Sequence, residues 1–368
     1  MSLPSPRQAM ASPIHPVSML EKLDVFPGLL SLAGTAVYTA VTAPFRGESG
    51  AYTFGQHVAH AVLRKVHPHG SRIGARYVGE PFSKVYAKWC QDKGVQPEYV
   101  TLKSGCRAFW MGDHKAAKYI MIYYHGGGFS LDGDDTHIKF WHTVQSDLEA
   151  NNIPIAILFL EYSLVPHATY PTQIIEAVEA FQYAKTELKR PASEIILGGD
   201  SAGGNMCLAI LSHIMHPSPD FPELKLVDGE KLKALVLVGP WVSFKLDWAS
   251  EERNRYKDIV SAYVGGKWSK DYLAGKETSS YAEAILPPAD WWKDSRVEQL
   301  IAVSGGDEVL IDPITQWVEK YKSVNPDTTT YVIGAHEAHI APIINLRFGN
   351  TTETEQGKGI KSFLKANL

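Results

Sequence analysis

The sequence predicts an α/β fold, a mostly parallel sheet with helices on both faces. Three observations carry that expectation. From about Lys118, short apolar runs recur: Tyr119–Tyr124, Ile155–Leu160, Glu194–Leu197, Ala234–Val238, Leu300–Val303 and Thr329–Ile333. They are apolar and rich in β-branched residues throughout, as strands buried on both faces are. Helical stretches such as Gln173–Leu188 and Gly204–Met215 lie between them, and alternating strands and helices imply a parallel sheet. The third observation is size and composition: 368 residues, 45% hydrophobic and 21% charged, as in a soluble protein with one large core.

The formal net charge of −4 argues against a nucleic-acid partner, which usually asks for a basic excess. Three cysteines, Cys90, Cys106 and Cys207, form no CxxC pair and no disulfide framework. They suit a reducing compartment, so an intracellular, cytoplasmic location is expected. The last residues, Lys365 to Leu368, are a weak variant of a C-terminal peroxisomal address, with chance the plainer reading.

Two regions break the strand–helix rhythm. Residues 1–95 carry helical pieces and no strand series. Residues 243–292 leave the sheet between two core strands and return, rich in Trp, Tyr, Lys and Asp. Long excursions of this kind serve as lids or binding walls. Both are therefore expected to form one cap over a core spanning 96–368. Within the first, Val25 to Phe45 has no charge and is long enough to span a bilayer. Pro27, Gly28, Gly34 and several threonines dilute it, and Leu29, Leu30, Ala33, Val37, Ala40 and Val41 share one helical face. The first expectation is a helix packed over the mouth of the protein's own site. A membrane-surface contact comes second and a true span third. Glu21 and Asp24 precede it where a signal peptide would be basic.

The chemistry is concentrated in four short segments. Gly199-Asp200-Ser201-Ala202-Gly203 follows a predicted strand and precedes a predicted helix, the context that a GxSxG motif needs. A serine on so sharp a turn leaves no room for side chains two residues to either side. His125-Gly126-Gly127-Gly128-Phe129 follows the strand Tyr119–Tyr124. Its glycines let backbone N–H groups approach a substrate oxygen, and with the Ala202 amide they would form an oxyanion hole. Ser304 to Asp312 ends another strand, and Asp307 is the carboxylate expected to orient a histidine. The segment Gly334 to Pro342 supplies two candidate bases, His336 and His339. The histidines are three apart rather than four, so this is not the HExxH zinc pattern, and no metal and no cofactor are expected. The order Ser, Asp, His along the chain is that of the α/β-hydrolases.

With these segments, and with the stretch from Tyr162 to Pro166 followed by Tyr170-Pro171, the chain resembles the hormone-sensitive lipase-like branch of the α/β-hydrolases, of the fungal esterase and deacetylase type. The resemblance runs from about Lys118 to the C-terminus. It implies an eight-stranded sheet with a helical cap, Ser201 as nucleophile, Asp307 as acid and His339 as base, with His336 a neighbour in the cap or pocket wall. It implies an oxyanion hole of the Gly127, Gly128 and Ala202 amides, and site walls from His125, Gly126, Phe129, Asp200 and Trp241. The expected activity is carboxylic ester hydrolysis on a hydrophobic small molecule with a small acyl group, the cap tryptophans Trp241, Trp248, Trp268, Trp291 and Trp292 favouring an apolar ligand. Two other classes stand beside it. One is a cyclase, transacylase or dehydratase of natural-product biosynthesis; the other is a ligand-binding receptor. Monomer and homodimer are both compatible with the sequence.

Overall fold

The computed structural model describes residues 25–69, 80–245 and 247–368. Eight strands form one sheet in the order β1-β2-β4-β3-β5-β6-β7-β8. They are β1 (Tyr99–Thr101), β2 (Arg107–Met111), β3 (Tyr119–Tyr124), β4 (Ile155–Glu161), β5 (Ile195–Asp200), β6 (Leu232–Val238), β7 (Val297–Gly305) and β8 (Thr329–Gly334). From β4 to β8 every neighbouring pair is parallel, while β1 and β2 pair antiparallel at one edge. Strands β3, β4 and β5 are buried along their whole length, which is why their sequences are apolar runs rather than alternations.

The six expected strands are all present, within three residues at each end. Strands β1 and β2 lie before the expected core series begins. They carry Arg107, whose guanidinium pairs with Glu161 in the sheet interior at 3.3 Å, so the second strand does not read as an apolar run. The apolar side chains divide into two clusters, one on each face of the sheet.

Eleven helices among the described residues are used below: α1 (Val25–Thr42), α2 (Phe54–His69), α3 (Phe82–Lys93), α4 (Asp135–Glu149), α5 (Thr172–Gln182), α6 (Ala202–Met215), α7 (Ala249–Asn254), α8 (Ala262–Leu273), α9 (Ile311–Val324), α10 (Ala341–Ile344) and α11 (Glu355–Asn367). The N-terminal region is not all cap. Helix α3 buries Phe82, Tyr86 and Cys90 in the core beside Phe109 and Phe159. Helix α2 reaches the insertion, where His60 Nδ1 lies 2.7 Å from the Lys257 carbonyl and Arg64 donates to the Asp258 carbonyl.

Helix α1 contributes no residue to the lining of the cleft described below. It rests on α2 and turns its large apolar residues to the outside: Leu29, Leu30, Val37 and Val41 are 56–69% exposed. Its small polar residues face inward, with Thr39 buried and Thr35 bonded back to the Ser31 carbonyl at 2.9 Å.

Candidate active site

Ser201 joins β5 to α6 with φ 50° and ψ −115°. This is a left-handed backbone position that a non-glycine residue holds only when its surroundings fix it. Its amide donates to the Val238 carbonyl at 2.9 Å, and its carbonyl accepts from Asn205 N at 3.1 Å and Trp241 N at 2.9 Å. The flanking glycines are there for space. A Cβ on Gly203 would sit 1.8 Å from the Tyr124 carbonyl oxygen, and one on Gly199 would sit 2.4 Å from the Gly203 backbone. The serine precedes the first turn of α6, whose amides have no partner within the helix and favour negative charge.

The oxyanion loop follows β3. Gly127 and Gly128 have φ of 105° and 58°. Among the described residues, the amides of Gly127, Gly128 and Ala202 donate to no protein acceptor. The loop is shaped from below by the other residues of the motif. Asp200 accepts from the Gly126 amide at 2.9 Å and from the Tyr123 hydroxyl. Burial would raise this carboxyl, but His137 and the Tyr123 hydroxyl outweigh that and hold it below its usual value. His125 stacks on Tyr162 at 4.2 Å, and burial pushes it down to about 4. Phe129 stacks on Tyr272 at 3.8 Å. His125, Phe129 and Asp200 are at most 2% exposed. Of the five residues expected to form the walls, only Trp241 lines the cleft. The other four hold the loop in shape.

Of the two candidate histidines, His339 is the one buried against the turn after β7. It is 2% exposed, and its Nδ1 lies 2.9 Å from Glu308 Oε1. His336 is on the surface with φ 56°, stacked on Tyr52 at 4.2 Å. The paired carboxylate is a correction: it is Glu308, not Asp307. After β7 the chain makes a tight turn in which the Glu308 carboxylate folds back on the Gly305 amide at 2.8 Å while reaching the imidazole. Asp307 points away, toward Lys257 Nζ at 3.4 Å. Both residues follow the strand within one turn, and the sequence does not say which side faces β8. The desolvation of His339 would lower its pKa, but Glu308 first, then Asp258 and Asp200, outweigh it and raise it above 6.5. With Nδ1 committed to Glu308, Nε2 is the nitrogen left for a reacting hydroxyl. Gly239 is the point where the chain beside the serine turn passes the imidazole. It follows Val238, the acceptor of the Ser201 amide, and a Cβ on it would approach His339 Nδ1 to 2.9 Å.

Above Ser201 is a cavity of about 40 Å³ lined by Gly128, Trp241, Trp248, Trp268 and Leu310 among others. Trp268, on α8, closes against the oxyanion loop, since a Cβ on Gly128 would meet its ring at 2.1 Å. The remaining cap tryptophans are elsewhere: Trp291 stacks on His216 at 3.7 Å and Trp292 packs on Trp317 in the core.

Comparison with known proteins agrees with this architecture. Residues 121–340 match the α/β-hydrolase fold family. The "Carboxylesterase/phospholipase LipF" of Mycobacterium tuberculosis is 25% identical over 202 residues, which are 52% of this chain and 48% of that protein. An "Acetyl-hydrolase" of Streptomyces hygroscopicus is 25% identical over 220 residues, 60% of this chain and 67% of that one. The chain thus spans about half the length of the first of these relatives and two thirds of the second. Among solved structures, an esterase from the bacterial hormone-sensitive lipase family superposes with a TM-score of 0.65 at 20% identity, covering 86% of this chain and 99% of the other. The matched segment runs from β3 through the nucleophile turn and both strand-end loops to His339, and on that ground the chain belongs to the α/β-hydrolase fold family.

Proposed function

We propose that this protein is a serine carboxylic ester hydrolase using Ser201, His339 and Glu308. The observation that carries the reading is the buried His339–Glu308 pair set against the strained Ser201 turn. In this mechanism His339 Nε2 takes the Ser201 hydroxyl proton as the oxygen attacks the ester carbonyl. The tetrahedral oxyanion is held by the amides of Gly127, Gly128 and Ala202. The intermediate collapses as His339 returns the proton to the departing alcohol. Water then attacks the acyl-enzyme, giving its proton to His339, and the acid and free Ser201 are released. Glu308 keeps the imidazole in the tautomer with Nδ1 protonated.

We further propose that the acyl group is small, acetyl or near it, on an apolar alcohol. A space of about 40 Å³ holds roughly three water-sized groups, and the similar Streptomyces protein is named for acetyl hydrolysis. The test is turnover of p-nitrophenyl esters from acetate to decanoate by wild type and Ser201→Ala. Short esters should be cleaved, and Ser201→Ala should lose on the order of 10⁶-fold in kcat while keeping its fold. A folded wild type that cleaves none of them would turn attention to acyl transfer or cyclisation at the same serine.

Location is a proposal of its own. The outward apolar face of α1 and of the turn after it carries no charge and is 56% or more exposed at Phe26, Leu29, Leu30, Val37, Tyr38, Val41 and Phe45. The helix from Phe26 to Phe45 is also long and apolar enough to cross a membrane. A lipid surface is the environment that such a face suits.

A further inference from the structure

The insertion between β6 and β7 does more than roof the cleft. Between α7 and α8 it sends one carboxylate, Asp258, into the interior beside the catalytic loops, where it is 0% exposed. Asp258 Oδ1 accepts from the His339 amide at 2.9 Å, and Oδ2 accepts from the Val309 amide at 2.7 Å. Oδ1 also takes the Ile259 amide at 2.7 Å. One side chain therefore grips the backbone of the base itself and of the residue following the acid. Charge-assisted bonds of this kind, away from water, are the strong ones.

The grip is fixed from the other side by the N-terminal helix α2. His60 and Arg64 hold the carbonyls of Lys257 and Asp258, while Lys257 Nζ meets Asp307. Nearby in the insertion, Asn254 donates to the Gly306 and Glu308 carbonyls at 3.1 and 2.9 Å, and Ser250 Oγ to the Val309 carbonyl at 2.7 Å. Every one of these contacts lands on the acid turn, the base loop or the segment that holds them.

We propose that Asp258 is a positioning residue that keeps His339 and Glu308 in register, and that through it the cap sets the geometry of the catalytic machinery. A buried carboxylate is costly to keep unless its bonds are needed, and here all the assigned bonds go to the two catalytic loops and its own neighbour. The charged and titratable groups acting on His339 are Glu308 after β7, Asp258 in the insertion, Asp200 at the end of β5 and His67 on α2. Asp258 is thus both a mechanical hold on the base loop and one of the negative charges favouring the imidazolium that forms during the reaction.

The inference rests on the esterase reading, so one readout must not depend on turnover. In the full chain, Asp258→Asn removes the charge at nearly constant shape. The kcat per active site, counted with a covalent p-nitrophenyl phosphonate, should fall on the order of 10²-fold with KM little changed, as for a small misplacement of a base. In parallel, the His339 Cε1–H resonance, followed by NMR against pH, should titrate at lower pH than in wild type. A kcat within about threefold of wild type, or a titration that does not move, overturns the proposal. If Asp258→Asn does not accumulate folded, His60→Leu releases the Lys257 carbonyl while keeping the Asp258 charge; kcat should then fall with the His339 titration unmoved, and an unchanged kcat overturns the proposal. If the wild type cleaves no ester at all, the esterase reading fails, while the NMR titration still decides on Asp258.

Discussion

Two carboxylates follow one another at Asp307 and Glu308, and their different surroundings decide their roles. Glu308 is 0% exposed and bonded to both the imidazole and the Gly305 amide, whereas Asp307 serves a lysine at the edge of the cap. Glu308→Gln should therefore cost on the order of 10⁴-fold in kcat, because the amide permits the wrong imidazole tautomer. Asp307→Asn should stay within about threefold of wild type. The reverse order in an ester-hydrolysis assay would restore Asp307 as the acid. The same contact fixes a sign in pH. The Glu308 charge raises the His339 pKa above 6.5, and His339 must be neutral to act as base. Activity should thus rise with pH along a limb lying above 6.5, and in Glu308→Gln the residual activity should show that limb at lower pH. The Ser201 turn and the glycine loop were legible in the sequence because each belongs to a motif placed at a strand end, whereas His339 was singled out from His336 only by the family resemblance. The choice between adjacent acidic residues was not legible, since it depends on the path of one turn.

At the scale of elements, the sheet was legible where burial on both faces forces apolar runs. It was illegible at β1 and β2, where Arg107 and an exposed edge break the pattern. Helix α1 was legible as a helix with an apolar face, but not in what that face meets. Periodicity identifies a stripe and leaves its partner open. A lipid partner for α1 predicts that the chain sediments with phospholipid vesicles. The triple variant Leu29→Glu, Val37→Glu, Val41→Glu should lose that binding and keep its ester turnover in solution. Equal sedimentation of both forms would remove the lipid assignment. Helix α8 contributes Trp268, whose ring bounds the cavity against Gly128. Trp268→Leu should raise the ratio of octanoate to acetate turnover by enlarging the space above Ser201. A chain-length profile identical to wild type would move the acyl site elsewhere in the cleft.

For the molecule as a whole, the histidines used to build the interior set how it responds to acid. His60 and His125 are each 2% exposed, and burial lowers both from 6.5 to about 4. Between those values the unfolded chain takes up protons that the native state refuses, so stability falls as pH falls. Each group contributes up to about 1.4 kcal/mol per pH unit in that window. His67, partly buried and also near 4, acts in the same direction. Asp258 opposes them. Burial raises it from 3.8 to about 6, so it binds its proton in the native state first and returns stability between pH 6 and 4. Glu176 and Glu337, raised by burial, act on the side of Asp258. With His60, His125 and His67 against Asp258, the native state is short by about two protons before Glu176 and Glu337 return part of them, so stability should decline below pH 6 by roughly 1.4 to 2.8 kcal/mol per pH unit. Urea midpoints measured from pH 7.5 to 4.5, at a common slope in denaturant, would read that decline directly. In His60→Leu the decline should be shallower over the same range, because one of the protons gained on unfolding is gone. A wild-type midpoint that stays level from pH 7 to 4.5 would mean that the buried imidazoles take up protons in the native state as readily as in the unfolded chain, and the interior would then have to be more open to acid than its packing implies.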